Sequence, residues 1–340
     1  MGDRSPQVFH VPPDLPPQSL GSILRRWLAD ESWAQIRKLV QTRRILVDGN
    51  LAVDLGQRLK AGQVVKLLGN SLPPPATEND VHVCHIDADV VVVDKPSGMT
   101  SVRHPEERLW PARRRQQQPT LTEVLPRLLA RIDRNQGHQA RPRALRAVHR
   151  LDRETSGLMV FARNVRAESF LGQQFRAHSI RRVYWAIVAG QVAEQSIETN
   201  LIRDRGDGRR GSTPREDIGK RAVTHVRPLE HLPGFTLVEC RLETGRTHQI
   251  RIHLAEIGHP VCGDKVYATA PRRGGMRAGS DPARLALHAG QLGFLHPADN
   301  RLLDFESPLP RDLETYLNLL RGGASARGKP APPRPGGAEP

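Results

Sequence analysis

Residues 149–163 read HRLDRETSGLMVFAR, a polar run that passes without a break into an apolar one. The apolar part, GLMVFAR (157–163), is short and uninterrupted, as expected of a strand buried on both faces. The polar part is then the loop that feeds this strand. It sets Asp152 at the strand's mouth, between Arg150 and Arg153. Neighbouring cations favour the ionised form of a carboxylate. An ionised aspartate can act as a nucleophile or a general base. The same residue in an ordinary surface loop would only join a salt bridge, and the residues alone leave both readings open.

Other strands surround this one. In DADVVVVDKPSGM (87–99) the four valines before Asp94 predict a buried strand, which Lys95-Pro96-Ser97-Gly98 breaks into a turn. Leu121, Val124, Leu125, Leu128, Leu129 and Ile132 recur at helical spacing, with Thr120 and Glu123 as a capping box and Pro126 expected to kink the helix. VYWAIVAG (183–190) is β-branched and alternating, a further strand. Its Tyr184 is one of three tyrosines, and a tyrosine on such a strand ordinarily belongs to the core. AVTHVRPL (222–229), FTLVECRL (235–242) and THQIRIHL (247–254) read as extended or mixed pieces. Few strand–helix–strand crossovers are visible, so the expected fold is α+β around a largely antiparallel sheet.

The run 243–253, ETGRTHQIRIH, mixes the donors Arg246, Gln249 and Arg251 with His248 and His253. A spacing of i, i+5 suits a metal poorly, so the histidines read as hydrogen-bonded structural residues and no metal is expected. Arg246 reads as a buried partner for a carboxylate.

Ahead of these strands lies a compact basic segment. Leu20, Ile23, Leu24, Trp27 and Leu28 form one helical face behind a Ser19 cap. Ser32 and Gln35 box the start of a second helix carrying Ile36, Leu39 and Val40. Two short strands turn at Asp48-Gly49, and VVKLLG closes the segment. Over residues 19–69 there are nine basic residues against four acidic ones. Arg25, Arg26, Arg37, Lys38, Arg43 and Arg44 are the candidate phosphate contacts. The expected organisation is a Pro-rich arm (1–18), this segment (19–69), a linker (70–79), the large domain (80–320) and a Gly/Pro/Ala tail (321–340). Stretches 103–118, 203–217 and 270–283 read as inserted or mobile loops.

Composition narrows the function. The 340 residues are 38% hydrophobic and 26% charged, without an apolar run of membrane-spanning length. MGDRSPQVFHVPPDLPP lacks the apolar core of a signal peptide, so a cytoplasmic protein is expected. Three distant cysteines fit neither a disulfide framework nor a zinc site. The net charge is +15, and all but seven of the 51 basic residues are arginine, which favours a polyanionic partner over a membrane. There is no dinucleotide fingerprint or P-loop, and no cofactor is expected. A monomer is the plain expectation.

Two resemblances follow. SILRRWLA…SWAQIRKLVQTRRILVDGNLAV…LKAGQVVKL resembles the small RNA-binding domain called S-four-like. HRLDRETSGLMVFARN, with KPSGM before it and TGRTHQIRIHLAEIGHPVCGDKVY and LALHAG (285–290) after it, resembles the RluA-type pseudouridine synthases over residues 85–320. The second resemblance implies that Asp152 is the essential aspartate. Tyr184 would stack on the uracil and be a candidate for proton removal, and Arg246 would pair with the aspartate. Arg150 would fill space near a flipped nucleotide. The family commonly has lysine two places before the tyrosine, where this chain has Arg182. The implied reaction breaks the bond between ribose and uracil, turns the base and rejoins it through carbon 5, by either a covalent ester or a glycal route. The implied partner is structured RNA, ribosomal RNA ahead of transfer RNA. The competing expectations are a non-catalytic RNA-binding or ribosome-assembly protein and a base-releasing glycosidase.

Overall fold

The computed structural model describes residues 7–14, 16–48, 50–69, 71, 76–110, 112, 115, 118–135, 143–206, 209–268, 282 and 284–322. The described residues divide into two compact units. One runs to Ser179 and includes Leu295–Leu303; the other comprises Ile180–Phe294 and the residues from Asp304 on.

The first unit opens with β1 (Gln7–His10), β2 (Gln18–Ser19), α1 (Leu20–Trp27) and α2 (Trp33–Gln41). β3 (Ile45–Val47), β4 (Asn50–Leu51), β5 (Arg58–Leu59) and β6 (Val64–Leu67) follow. Ser19 caps α1 through the Ser22 N–H, and Ser32 with Gln35 forms the expected capping box on α2. The strands join in the order β1-β6-β3-β4, so part of the stretch read as an arm supplies an edge strand. Leu20, Ile23, Leu24, Ile36, Leu39, Ile45, Val65 and Leu67 form a core belonging to this module. The turn residue Gly49 and most of 70–75 lie outside the described residues.

The rest of this unit is built on β7 (His82–Ile86), β8 (Val90–Lys95), α3 (Leu121–Asn135), β9 (Arg146–Ala147), β10 (Ser156–Ala162) and α4 (Val165–Arg176). β10 is buried along its whole length and pairs antiparallel with β8 and β9. The register sets Gly157 opposite Lys95. The turn after β8 and the loop before β10 therefore emerge at the same end of one ladder. α3 runs on through Pro126. The 103–118 stretch is partly anchored: Arg103 is buried and pairs with Glu123 at 2.7 Å.

The second unit contains β11 (Arg181–Ala189), β12 (Gln195–Ile202), β13 (Gly211–Thr213), β14 (Lys220–Leu232), β15 (Phe235–Leu242) and α5 (Gln249–Glu256). β16 (Leu287–Leu295), β17 (Leu302–Glu306) and α6 (Arg311–Gly322) complete the described elements. Strands β13, β12, β14, β15, β11 and β16 are neighbours in that order, and all five ladders between them are antiparallel. The fold is α+β as expected. Two local expectations change. THQIRIHL is mostly the helix α5, and the 203–217 stretch contains β13, paired with β12. The 270–281 stretch and the tail beyond 322 lie outside the described residues. Among the described residues no helix is long and apolar enough to cross a membrane. All three cysteines are free thiols, and burial pushes Cys84 up to about 11 and Cys240 up to about 12.

Candidate active site

In the first unit the loop between β9 and β10 is held along its length. The fully buried Lys95 ammonium donates to the carbonyls of Met99 at 2.8 Å, Pro96 at 2.9 Å and Arg153 at 3.2 Å. Gly98 N–H donates to the Arg153 carbonyl at 2.8 Å, and Arg153 Nε returns a bond to the Gly98 carbonyl at 3.0 Å. Gly98 has φ +83°, the left-handed region that this turn requires. Ser97 Oγ donates to the Glu154 carbonyl at 2.7 Å. Buried Ser101 Oγ donates to the Leu151 carbonyl at 2.7 Å and accepts the Leu151 N–H at 3.1 Å. His149 accepts the Val160 N–H at 3.1 Å and stacks on Phe175.

This clamp fixes residues 151–154 on both sides of Asp152 while leaving the Asp152 side chain half-buried and Arg150 exposed. A loop backbone held in this way loses little freedom when a substrate arrives, which favours a nucleophile or base carried on it. Arg153, next to Asp152 in the chain, donates through its Nε to the Gly98 carbonyl.

In the second unit Tyr184 is buried on β11, opposite Cys240 of β15 and Ala289 of β16. Arg182 donates to the carbonyls of Glu243 at 3.0 Å and Leu242 at 3.4 Å, where the chain leaves β15. A Cβ at Gly245 would lie 2.7 Å from Arg182 Nη1, so the guanidinium fits because position 245 has no side chain. Burial pulls Arg182 below the usual arginine value, and Tyr184 partly offsets this.

Gln249 organises the turn that follows. Its Oε1 accepts from Thr244 Oγ1 at 2.8 Å and the Arg246 N–H at 3.0 Å, and its Nε2 donates to the Val223 carbonyl at 2.9 Å. Arg246 itself is exposed, with Nε on the Arg221 carbonyl at 3.1 Å. The expectation of a buried Arg246 is thereby corrected: the buried guanidinium of this run is Arg251, paired with Asp264 at 2.7 Å. His253 is buried between Thr224 and Thr199, a structural histidine as read, and burial lowers its pKa to about 4.

Of the basic residues proposed to meet phosphate, Arg26, Arg37 and Lys38 are exposed on α1 and α2. Arg25 Nη1 donates to the Ala29 carbonyl at 2.5 Å, and Arg44 Nε donates to the Leu68 carbonyl at 2.9 Å, so both also serve the module's fold. One group of metal-ligand type occurs among the described residues, Asp87, Asp89 and His296. Its atoms are engaged in hydrogen bonds, Asp87 Oδ2 with His85 and His296, and Asp89 Oδ1 with Asn164.

Comparison with known proteins decides the family. The family model described as RNA pseudouridylate synthase matches residues 89–256, which contain both the clamped loop and the Gln249 turn. An RNA pseudouridine synthase of Bacillus subtilis is 37% identical over 301 residues, 86% of this chain and 90% of the relative. A protein of Zymomonas mobilis named ribosomal large subunit pseudouridine synthase D is 36% identical over 255 residues, 73% of this chain and 77% of its own length. The chain belongs to the RNA pseudouridine synthase family. A solved human structure, RNA pseudouridylate synthase domain containing 4, superimposes with a TM-score of 0.55 at 28% identity, covering 71% of this synthase and 93% of its own chain. The synthase is therefore an isomerase acting on RNA.

The sequence pointed to Asp152 but not to the residues that hold its loop. Lys95, read only as part of the turn KPSGM, and Ser101 gave no sign of bonding this loop, because Arg153 and Leu151 lie 58 and 50 residues further along the chain. Arg182 and Gln249 were visible only as polar residues near a tyrosine and an arginine.

Proposed function

We propose that this synthase isomerises uridines of large-subunit ribosomal RNA, with Asp152 as the residue that acts on the sugar. The observation that carries the role of Asp152 is the clamp, which fixes the backbone on both sides of a carboxylate that stays within reach of solvent. The choice of RNA is supported by the name of the Zymomonas mobilis relative and by the positive charge of the chain. Tyr184 is proposed to face the uracil and to take part in removing the carbon 5 proton. Arg246 and Arg150 are proposed to assist the aspartate and the nucleotide. Residues 19–69 are proposed as an S-four-like module that anchors folded RNA through backbone contacts.

Whether the aspartate attacks the anomeric carbon or takes a proton from the sugar, cleavage leaves negative charge on the uracil, which positioned donors stabilise. The target must leave its helix first, at a cost of a few kcal/mol that stacking and edge contacts offset. A cytoplasmic setting fits cysteines that form no disulfide.

The test is pseudouridine mapping of ribosomal and transfer RNA from cells with and without the protein. Loss of signal at specific large-subunit sites is the expected result, and loss confined to transfer RNA would transfer the same chemistry to that substrate. Asp152→Asn should fold, bind RNA and lose turnover by more than ~10^4-fold, beyond what removing a simple proton-transfer aid achieves. Substantial turnover in that variant would overturn the assignment.

A further inference from the structure

Helix α2 ends in a motif that favours glycine. After the C-cap Thr42, Arg43 N–H donates to the Val40 carbonyl at 3.0 Å and Arg44 N–H to the Leu39 carbonyl at 3.0 Å. These two bonds make a Schellman turn, whose residue after the cap is left-handed and most often glycine. Here that residue is arginine, with φ +60°. A Cβ in this region crowds the following carbonyl, so the helix end would be sounder with glycine.

The side chain gains little from the fold in return. Arg43 Nε is buried and has no hydrogen-bond partner among the described residues, and Arg44 Nη2 beside it is in the same state. A buried donor without an acceptor is costly, and native structures leave few of them. The neighbourhood holds charges of both signs. Burial and the charge of Arg153 pull Arg43 below the usual arginine value, with Glu154 acting in the other direction. Arg153 and Glu154 follow Asp152 directly in the clamped loop, in the same compact unit.

A residue that is strained in its backbone, unsatisfied in its side chain and close to another cation is explained by an anion that arrives from outside. We infer that Arg43 holds a backbone phosphate of the RNA substrate beside the loop that carries Asp152. The inference rests on the proposed function and deepens it. The seat links the basic module to the point of chemistry, and Arg43 differs from the exposed basic residues of α1 and α2 in having its Nε buried.

The test is Arg43→Gly in the full chain, with Arg43→Lys alongside. Glycine relieves the left-handed strain and removes the guanidinium, so stability and RNA affinity should move in opposite directions. The melting temperature should rise by a few degrees. Affinity for a large-subunit ribosomal RNA transcript should fall roughly tenfold. The slope of log affinity against log salt should become shallower by about 0.7–0.9, one phosphate contact. KM should rise while the rate at saturating RNA is retained. Arg43→Lys should keep the salt slope and recover only part of the affinity, because a point charge replaces a planar fork. A purely structural arginine would give a change in melting with unchanged affinity and slope, and that result overturns the inference. Binding to an unrelated RNA duplex is measured in parallel, since a phosphate contact does not depend on sequence. A wild-type protein that forms no pseudouridine in the transcript would defeat the functional proposal, while the Arg43 comparison on the duplex would still decide the seat.

Discussion

At Lys95 a charged side chain is fully enclosed and bonded to three backbone carbonyls, one of them next door to Asp152. Its ammonium is a structural pin for the loop. Replacing it by methionine keeps the length and leaves those carbonyls without their donor, a loss of about 2–4 kcal/mol. Lys95→Met should therefore lower the midpoint of urea unfolding and reduce kcat more than it raises KM. A variant with reduced stability and unchanged kcat would separate the pin from the chemistry. In the sequence Lys95 is only the first residue of a turn. Its role depends on the register that sets it opposite Gly157, and register is a property of two strands far apart in the chain. Asp152 stood out in the sequence because a carboxylate between two arginines ahead of a strand is a pattern of adjacent residues.

At the scale of elements, α5 shows where periodicity fails. Gln249 to Leu254 are all buried, so the helix has no polar face to reveal its period, and the segment reads as extended or mixed from sequence alone. α1 and α2 were legible because each keeps one wet face and one dry face, with serine caps to mark their starts. β1 was hidden for another reason: only its pairing with β6 makes Gln7–His10 a strand. The buried helix also carries a pH dependence. His253 titrates near 4 in the folded chain because burial disfavours its charged form, whereas an unfolded histidine titrates near 6.5. The unfolded chain thus binds the extra proton between these values. The stability His253 supports is present in full above about pH 6.5 and is lost as the pH falls toward 4. Denaturant midpoints measured from pH 7 to 4 should fall more steeply in the parent than in His253→Gln; parallel curves would refute this.

For the whole molecule, the proposed anchor on RNA is electrostatic. The chain carries +15, and the module of residues 19–69 holds nine basic residues on a framework with its own core. Removal of residues 1–69 should leave a chain that melts cooperatively, binds ribosomal RNA more weakly and shows a shallower dependence on salt. An unchanged salt slope would mean that the anchor lies elsewhere in the chain. The thiols have a practical consequence of their own. Cys84 and Cys240 are held at about 11 and 12, far from the thiolate form at neutral pH, and Cys262 is buried. Maleimide dyes should consequently ignore the native chain under brief labelling. A cysteine introduced at exposed Gln41, two residues from Arg43, would take a single fluorophore and report RNA docking in real time against a dark background.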